Sequence, residues 1–356
     1  MKKFTDLTSL LPILFLFLFI SCNDRNNKAV EFNNKILSNI NTEEIDAKVI
    51  ETGYIFGNPT QIIMANDTLL MLFDKSLNGK LFHLISTNGY YIGSFGEIGQ
   101  GPNEFLSPHN IGSDLSGKIC IYDFMKAKSM ECEASDFPEI FNSAKWNDYA
   151  GIIPEGAYRF SAVYPLGNDR FIGVGLNNKC RLMLINNQDS VYNYTSYPIQ
   201  TEDEEANWSL WNNCASNAVS PDGKHFVVAT SIGMAFEVFD IENDHIKSKT
   251  VVGVYEPKYD IANGAIPKCA YSTEECFIGF KDICALNDSF CGIVVGSAPG
   301  YNDNNIIYIF DYDGNLHRKL ETPYRIKCLT SDGKSIFAIG YTDGDEEDCK
   351  LLKLAL

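Results

Sequence analysis

Ser220-Pro221-Asp222-Gly223-Lys224-His225-Phe226 is a polar turn that tips into the apolar run Phe226-Val227-Val228-Ala229. The same arrangement occurs in five other places. They read Ala65-Asn66-Asp67-Thr68-Leu69-Leu70, Leu115-Ser116-Gly117-Lys118-Ile119-Cys120, Gly167-Asn168-Asp169-Arg170-Phe171-Ile172, Leu286-Asn287-Asp288-Ser289-Phe290 and Ser331-Asp332-Gly333-Lys334-Ser335-Ile336. Anchored on Thr68, Lys118, Arg170, Lys224, Ser289 and Lys334, the steps are 50, 52, 54, 65 and 45 residues. A near-fixed period of this size marks a repeat architecture.

The turn chemistry says what the repeat is. Asn-Asp, Asp-Gly and Ser-Gly tolerate the φ > 0 conformations of tight hairpins. The runs that follow, such as Ile336-Phe337-Ala338-Ile339, are nearly continuous in apolar residues, as strands buried on both faces must be. Second hairpin signals appear at Asn88-Gly89, Asn187-Gln188-Asp189 and Asp313-Gly314. Each unit therefore reads strand, turn, strand, loop, strand, turn, strand. The expectation is an all-β, six-bladed β-propeller of four-stranded antiparallel blades. The last copy runs short of strands. A partly apolar stretch at 48–56 is available to supply the missing outer strand, so that the two ends of the chain close the ring and remove a sheet edge. A seventh blade would have to hide in the 65-residue step, where the insert 257–279 is too short to hold one.

The first residues carry a different message. Lys2 and Lys3 precede the apolar run 10–20, which is too short for a membrane span and reads as the core of a secretory signal. It ends in Phe19-Ile20-Ser21-Cys22, which resembles a bacterial lipobox with Phe19 in place of the usual Leu. The implied organisation is a lipoprotein signal peptide at 1–21, a lipid-anchored tether at 22–42 and a propeller at 43–356. Cys22 is the lipidated residue. The expected location is extracytoplasmic, in the cell envelope of a bacterium, on the outer membrane.

The net charge is −17, and it becomes about −18 once Lys2, Lys3 and Asp6 are removed with the signal. No basic patch interleaves with aromatics, so nucleic acid is not an expected partner. Anionic headgroups offer an acidic protein nothing, so the acyl chains must hold it at the membrane. Export permits disulfides. Cys269 and Cys276 are spaced to staple one insert, and Cys284 and Cys291 to face each other across a hairpin. The alternative, which the sequence favours for Cys120, Cys180, Cys284, Cys291 and Cys328, is that they are small buried apolar residues of strands. None has the Cys-x-x-Cys spacing of a zinc site.

Gly93-Ser94-Phe95-Gly96-Glu97-Ile98-Gly99-Gln100-Gly101-Pro102-Asn103-Glu104-Phe105-Leu106-Ser107-Pro108 resembles the blade junction of NHL-type propellers. Val219-Ser220-Pro221-Asp222-Gly223-Lys224 resembles the Ser-Pro-Asp-Gly-Lys signature of TolB-type blades. Together they are similar to the TolB-like six-bladed propeller lipoproteins of Gram-negative bacteria, over roughly 48–356. The resemblance implies a six-bladed ring, lipid anchoring and a binding role, and it carries over no catalytic residue. Gly96, Gly99 and Gly101 read as a sharp turn from an outer strand into the next inner one. A phosphate-cradling loop would need a helix after it, and Pro102 to Pro108 does not start one.

Propellers usually bind at the face where the inner strands begin around the central channel. The polar residues just ahead of each inner strand are the candidates: Gln61, His109, Arg159, Asn213, Lys281 with Asp282, and Arg325 with Lys327. Cations gathered on one face of an acidic protein would favour an anionic or polar ligand. The plain alternative is that they solvate the channel mouth and pair with each other. Trp208 and Trp211 lie on the connecting loop 201–213, where exposed aromatics suit stacking on sugars or peptides. Trp146 is expected to plug a gap between blades. Asp311-Tyr312-Asp313-Gly314-Asn315 lacks the downstream glutamate of a calcium loop and reads as a hairpin turn. The acidic turn Asp343, Asp345, Glu346, Glu347 and Asp348 is a candidate for weak calcium binding, and no other cofactor is expected.

No His-Glu-x-x-His or Gly-x-Ser-x-Gly context is present. The sequence therefore favours a binding module for an envelope protein, peptide or glycan. The alternative is a propeller enzyme, a metal-assisted lyase or hydrolase, with His109 and the channel cations as its site.

Overall fold

The computed structural model describes residues 35–38, 40–75, 79–114, 116–153, 159–177, 179–186, 189–198, 208–213, 215–253, 259–262, 268–271, 278–296, 304–342 and 348–356. The strands are β1 (Thr42–Glu44) and β2 (Ala47–Ile50), followed by six blades. Blade 1 is β3 (Pro59–Asn66), β4 (Leu69–Asp74), β5 (Phe82–Ser86) and β6 (Tyr91–Phe95). Blade 2 is β7 (Pro108–Ser113), β8 (Lys118–Asp123), β9 (Lys128–Glu133) and β10 (Lys145–Asp148). Blade 3 is β11 (Phe160–Gly167), β12 (Arg170–Asn177), β13 (Cys180–Asn186) and β14 (Asp189–Tyr194). Blade 4 is β15 (Ala215–Val219), β16 (His225–Thr230), β17 (Phe236–Ile241) and β18 (Ile246–Val252). A separate hairpin, β19 (Tyr259–Ala262) with β20 (Lys268–Tyr271), fills the long step in the repeat. Blade 5 is β21 (Ile278–Ala285), β22 (Ser289–Gly296), β23 (Ile306–Asp311) and β24 (Leu316–Glu321). Blade 6 has β25 (Arg325–Ser331), β26 (Ser335–Tyr341) and β27 (Lys350–Ala355).

The ring closes as the sequence implies, with a shorter strand. The outer strand of blade 6 is β2, antiparallel to β27 from Ala47↔Leu354 to Ile50↔Leu351. It ends before most of the expected stretch. Closure is doubled by a contact the sequence did not suggest. β1 adds to blade 5 as a fifth strand, parallel to β24, and Glu43 pairs with Arg318 at 2.9 Å. The N-terminal segment thus straps blades 5 and 6 together.

The second strands have apolar interiors, and in β4 every residue is buried, Asp74 included. The repeated turns have the torsions their residues allow. Asn168 and Asp169 both sit in the left-handed region, at φ 54° and 55°, which is the requirement of a type I′ hairpin. Six apolar clusters result, one between each pair of neighbouring blades. The sixth joins Ile50, Ile62, Leu70 and Leu72 to Phe337, Ile339 and Leu351 across the seam where the chain ends meet. Leu37 is buried between blades 4 and 5, so packing starts within the segment expected to be a tether. Cys22 and the signal segment lie outside the described residues.

In the glycine-rich junction, Gly96 has φ +74° and lies over two phenylalanines. A Cβ there would stand 2.6 Å from the Phe82 ring and 3.2 Å from Phe105. Its freedom serves close packing as well as the turn. No helix follows the glycines, in agreement with the turn reading.

Candidate functional site

The six inner strands β3, β7, β11, β15, β21 and β25 surround a central channel. Its cavity measures about 240 Å³. A shared irregularity shapes its wall. In five of the six inner strands the register slips by one residue near the start, at Thr60, His109, Ser161, Lys281 and Lys327. β15 pairs without a slip. A bulge inserts one unpaired residue and re-aims the side chains beside it. His109, Lys281 and Lys327 therefore lie within inner strands at bulges, where the sequence placed them ahead of the strands. Arg159 does precede its strand.

Polar side chains beside the bulges of β3, β7 and β21, and others further along the inner strands, reach to the next blade. In blade 1, the Gln61 amide donates to His109 O at 3.0 Å and accepts from Ile111 N at 2.9 Å. In blade 2, Asn110 donates to Val163 O at 2.8 Å and accepts from Val163 N at 3.0 Å. His109 Nδ1 stands 2.7 Å from Ser161 O. Between blades 3 and 4, Tyr164 and Asn217 share a side-chain hydrogen bond. Ser216 Oγ donates to Lys281 O at 3.3 Å. In blade 5, Lys281 Nζ donates to Ile326 O at 3.0 Å, and Asp282 accepts from Leu329 N at 2.9 Å. Thr330 Oγ1 accepts from Met64 N at 3.2 Å and closes the circle. The channel is girdled by side chains that tie each blade to the next.

This geometry sorts the candidates. Asp282 lines the channel cavity, and so does Gln61. His109 and Arg159 come together on the Phe124 ring, with the His109 centroid at 5.3 Å and the guanidinium at 5.7 Å. Arg159 also donates to Phe124 O at 2.9 Å and Met125 O at 2.7 Å. Lys327 lies over Tyr341 at 5.4 Å. The expectation of cations around the cavity is corrected. Among the described residues that line it there is no Lys, Arg or His; the charged groups are Asp114 and Asp282. Arg159, Lys281, Lys327 and His109 are occupied with main-chain carbonyls or rings, and Arg325 does not reach the cavity.

Trp208 and Trp211 are also corrected. They are 3% and 2% exposed and belong to the core between blades 3 and 4, so neither offers a stacking face to a ligand. The reason is Arg181, a fully buried cation on β13. Its guanidinium sits 5.1 Å from the Trp211 ring, 5.2 Å from Tyr197 and 5.1 Å from Phe239. It pairs with Glu237 at 2.5 Å, and the segment carrying Trp211 covers the pair. Trp146 lies within β10 and packs beside Phe105 at 5.7 Å. Asn213's side chain and the acidic residues 343–347 lie outside the described positions. The Asp311 turn is a hairpin as expected. Asp311 accepts from Asp313 N, Asn315 N and His317 Nε2. Partial burial would raise its carboxyl, but the bonds from Asn315 and His317 together hold it down at about 2. Among the described residues no cluster of three or more His, Cys, Asp or Glu is placed to hold a metal.

Sequence reading missed Asn110, Tyr164, Asn217 and Thr330. Their signal is polar side chains carried on the inner strands, as in His109-Asn110 of β7 and Ser216-Asn217 of β15.

Asp282 has the most perturbed carboxyl of the channel. Burial pushes it up to about 7, against the Leu329 and Ile283 amides and the Lys281 ammonium, which favour its charge. An unfolded aspartate titrates near 3.9, so between about pH 4 and 7 the folded chain holds the extra proton. Stability from this group is complete below that window and is lost as pH rises through it, by up to roughly 4 kcal/mol. The Asp282→Asn variant cannot ionise there. Its melting temperature relative to the parent should therefore climb between pH 5 and pH 8. A difference that is flat with pH would contradict the assignment.

The sequence matches the TolB-like 6-blade propeller-like family over residues 39–334. The chain belongs to that family. An exported protein by name, from Bacteroides fragilis, is similar to it in structure, with 11% identity, TM-score 0.56 and coverage of 90% of this chain and 97% of that one. BamB from Moraxella catarrhalis is similar at 10% identity and TM-score 0.45, covering 88% and 99%. An auxiliary nutrient binding protein from Bacteroides thetaiotaomicron is similar at 10% identity and TM-score 0.45, covering 85% and 69%. No curated protein matches the chain in sequence.

Proposed function

We propose that the chain is an extracytoplasmic binding module, held to a bacterial envelope membrane by lipid on Cys22, whose central channel takes a small polar group of a glycan or peptide. The observation that carries the site is the channel itself. Its lining combines Gln61, Ser113, Ser216, Asn217 and Thr330 with two carboxyls and no cation. Such a lining suits neutral or cationic hydrogen-bonding groups and disfavours the anionic ligand that the sequence suggested. At about 240 Å³ the cavity falls below the roughly 300–1,000 Å³ that encloses a drug-sized ligand. One sugar ring or one side chain fits that space, with the remainder of the ligand outside. A bulky residue set into the channel should abolish binding.

The lipobox-like Phe19-Ile20-Ser21-Cys22 supports the anchor. Acyl chains contribute about 0.8 kcal/mol per buried methylene, and Cys22→Ala removes the thiol that would carry them. The variant should move to the soluble fraction or keep its signal segment. Membrane fractionation and processing equal to the parent would sink the anchor.

A further inference from the structure

We infer that Cys284 and Cys291 form a disulfide site that fastens the channel strand of blade 5 to the strand behind it. The two residues are register partners across β21 and β22, and their Sγ atoms stand 3.3 Å apart. Directly opposed residues of an antiparallel pair have Cα atoms about 4.5–5.5 Å apart. That lies inside the range of about 4.4–6.8 Å that a disulfide spans. Only the sulfurs have to approach, and the ladder between the strands stays as it is. Both residues are buried in the core between blades 5 and 6, and Cys284 stands in the channel wall beside Asp282 and Ile283.

The chemistry is exchange with an external disulfide, RSSR. One cysteine thiolate attacks it, forms a mixed disulfide and releases RS⁻. The second thiolate attacks the protein sulfur of that mixed disulfide and releases the other RS⁻. The two cysteines are oxidised, RSSR is reduced to two RSH, and the two thiol protons end on the released thiols. Burial pushes the Cys284 thiol far above its ordinary range, so the attacking thiolate is scarce once the blade has packed. The exchange therefore belongs to folding, before the core closes. The same burial then shields the bond from reductants while the protein stays folded. The proposal rests on the export reading only for where the oxidant is met.

The test uses the mature chain in two preparations. One is isolated from the envelope; the other is reduced, unfolded and refolded with oxidised and reduced glutathione. Each is denatured, alkylated with one reagent, reduced, alkylated with a second and mapped by mass spectrometry. Cys284 and Cys291 should carry the second label in both preparations. In Cys284→Ser, Cys291 should take the first label. First label on both residues of the refolded wild type overturns the disulfide, whatever the compartment. Second label after refolding but first label in the envelope preparation keeps the disulfide and overturns the export reading.

Discussion

A chain that begins after Phe56 should fail to give soluble, monomeric protein. The deletion strips β2 from β27 and leaves blade 6 with a free edge, the kind of surface that pairs with other chains. It also removes Leu37, Ile50 and Phe56, all buried. Each is worth about 1.5–3 kcal/mol on burial, so the loss approaches the whole stability of about 5–15 kcal/mol of an ordinary domain. Deleting only 23–34 should change the melting temperature by a degree or two at most. The comparison is made by thermal melting and size-exclusion chromatography. Equal tolerance of the two deletions would show that the N-terminal strap does not close the ring.

The second large effect is expected at Arg181. Replacing it with Met removes the partner of Glu237 while that carboxylate stays buried, 2% exposed at its side chain. Breaking a buried pair from one side costs about 3–5 kcal/mol. The variant should unfold at clearly lower denaturant, with a matching loss in Glu237→Leu. The double variant Arg181→Met with Glu237→Leu should recover most of the stability, because no uncompensated charge remains. Losses that simply add in the double variant would mean that the two residues do not act as a pair.

Arg181 also shows where the sequence falls silent. The blades were legible because each repeats a turn followed by an apolar run, and that pattern is local. Ring closure was legible because the last blade lacked a strand. The position of β2 was not, since a four-residue strand with a single buried residue, Ile50, has little pattern of its own. The Trp208 and Trp211 reading failed for a non-local reason. Loop tryptophans look exposed until the charge they cover is known, and that charge lies on a strand of the preceding blade. A lone Arg in the run Cys180–Asn186, and a lone Glu in Phe236–Ile241, were the available hints. The channel residues failed by one position. A bulge moves a residue out of register without changing composition, so His109 and Lys281 read as strand starts when they are the extra residues of bulged strands. Both stay exposed, yet their polar ends bond to main-chain carbonyls of the neighbouring blade.

The claim that binding takes place in the channel has a direct test. Ser216 lines the cavity, and Ser216→Phe would fill much of it. Ser113→Phe, from blade 2, serves as the second blocking variant should the first unfold. Envelope-derived oligosaccharides and short peptides are titrated against the parent and the blocked chain by calorimetry. The account predicts that at least one of these probes binds the parent, that affinity falls by tenfold or more in the blocked chain, and that both chains melt at similar temperatures. Binding that survives the blocked channel, or no binding by any probe, would contradict it.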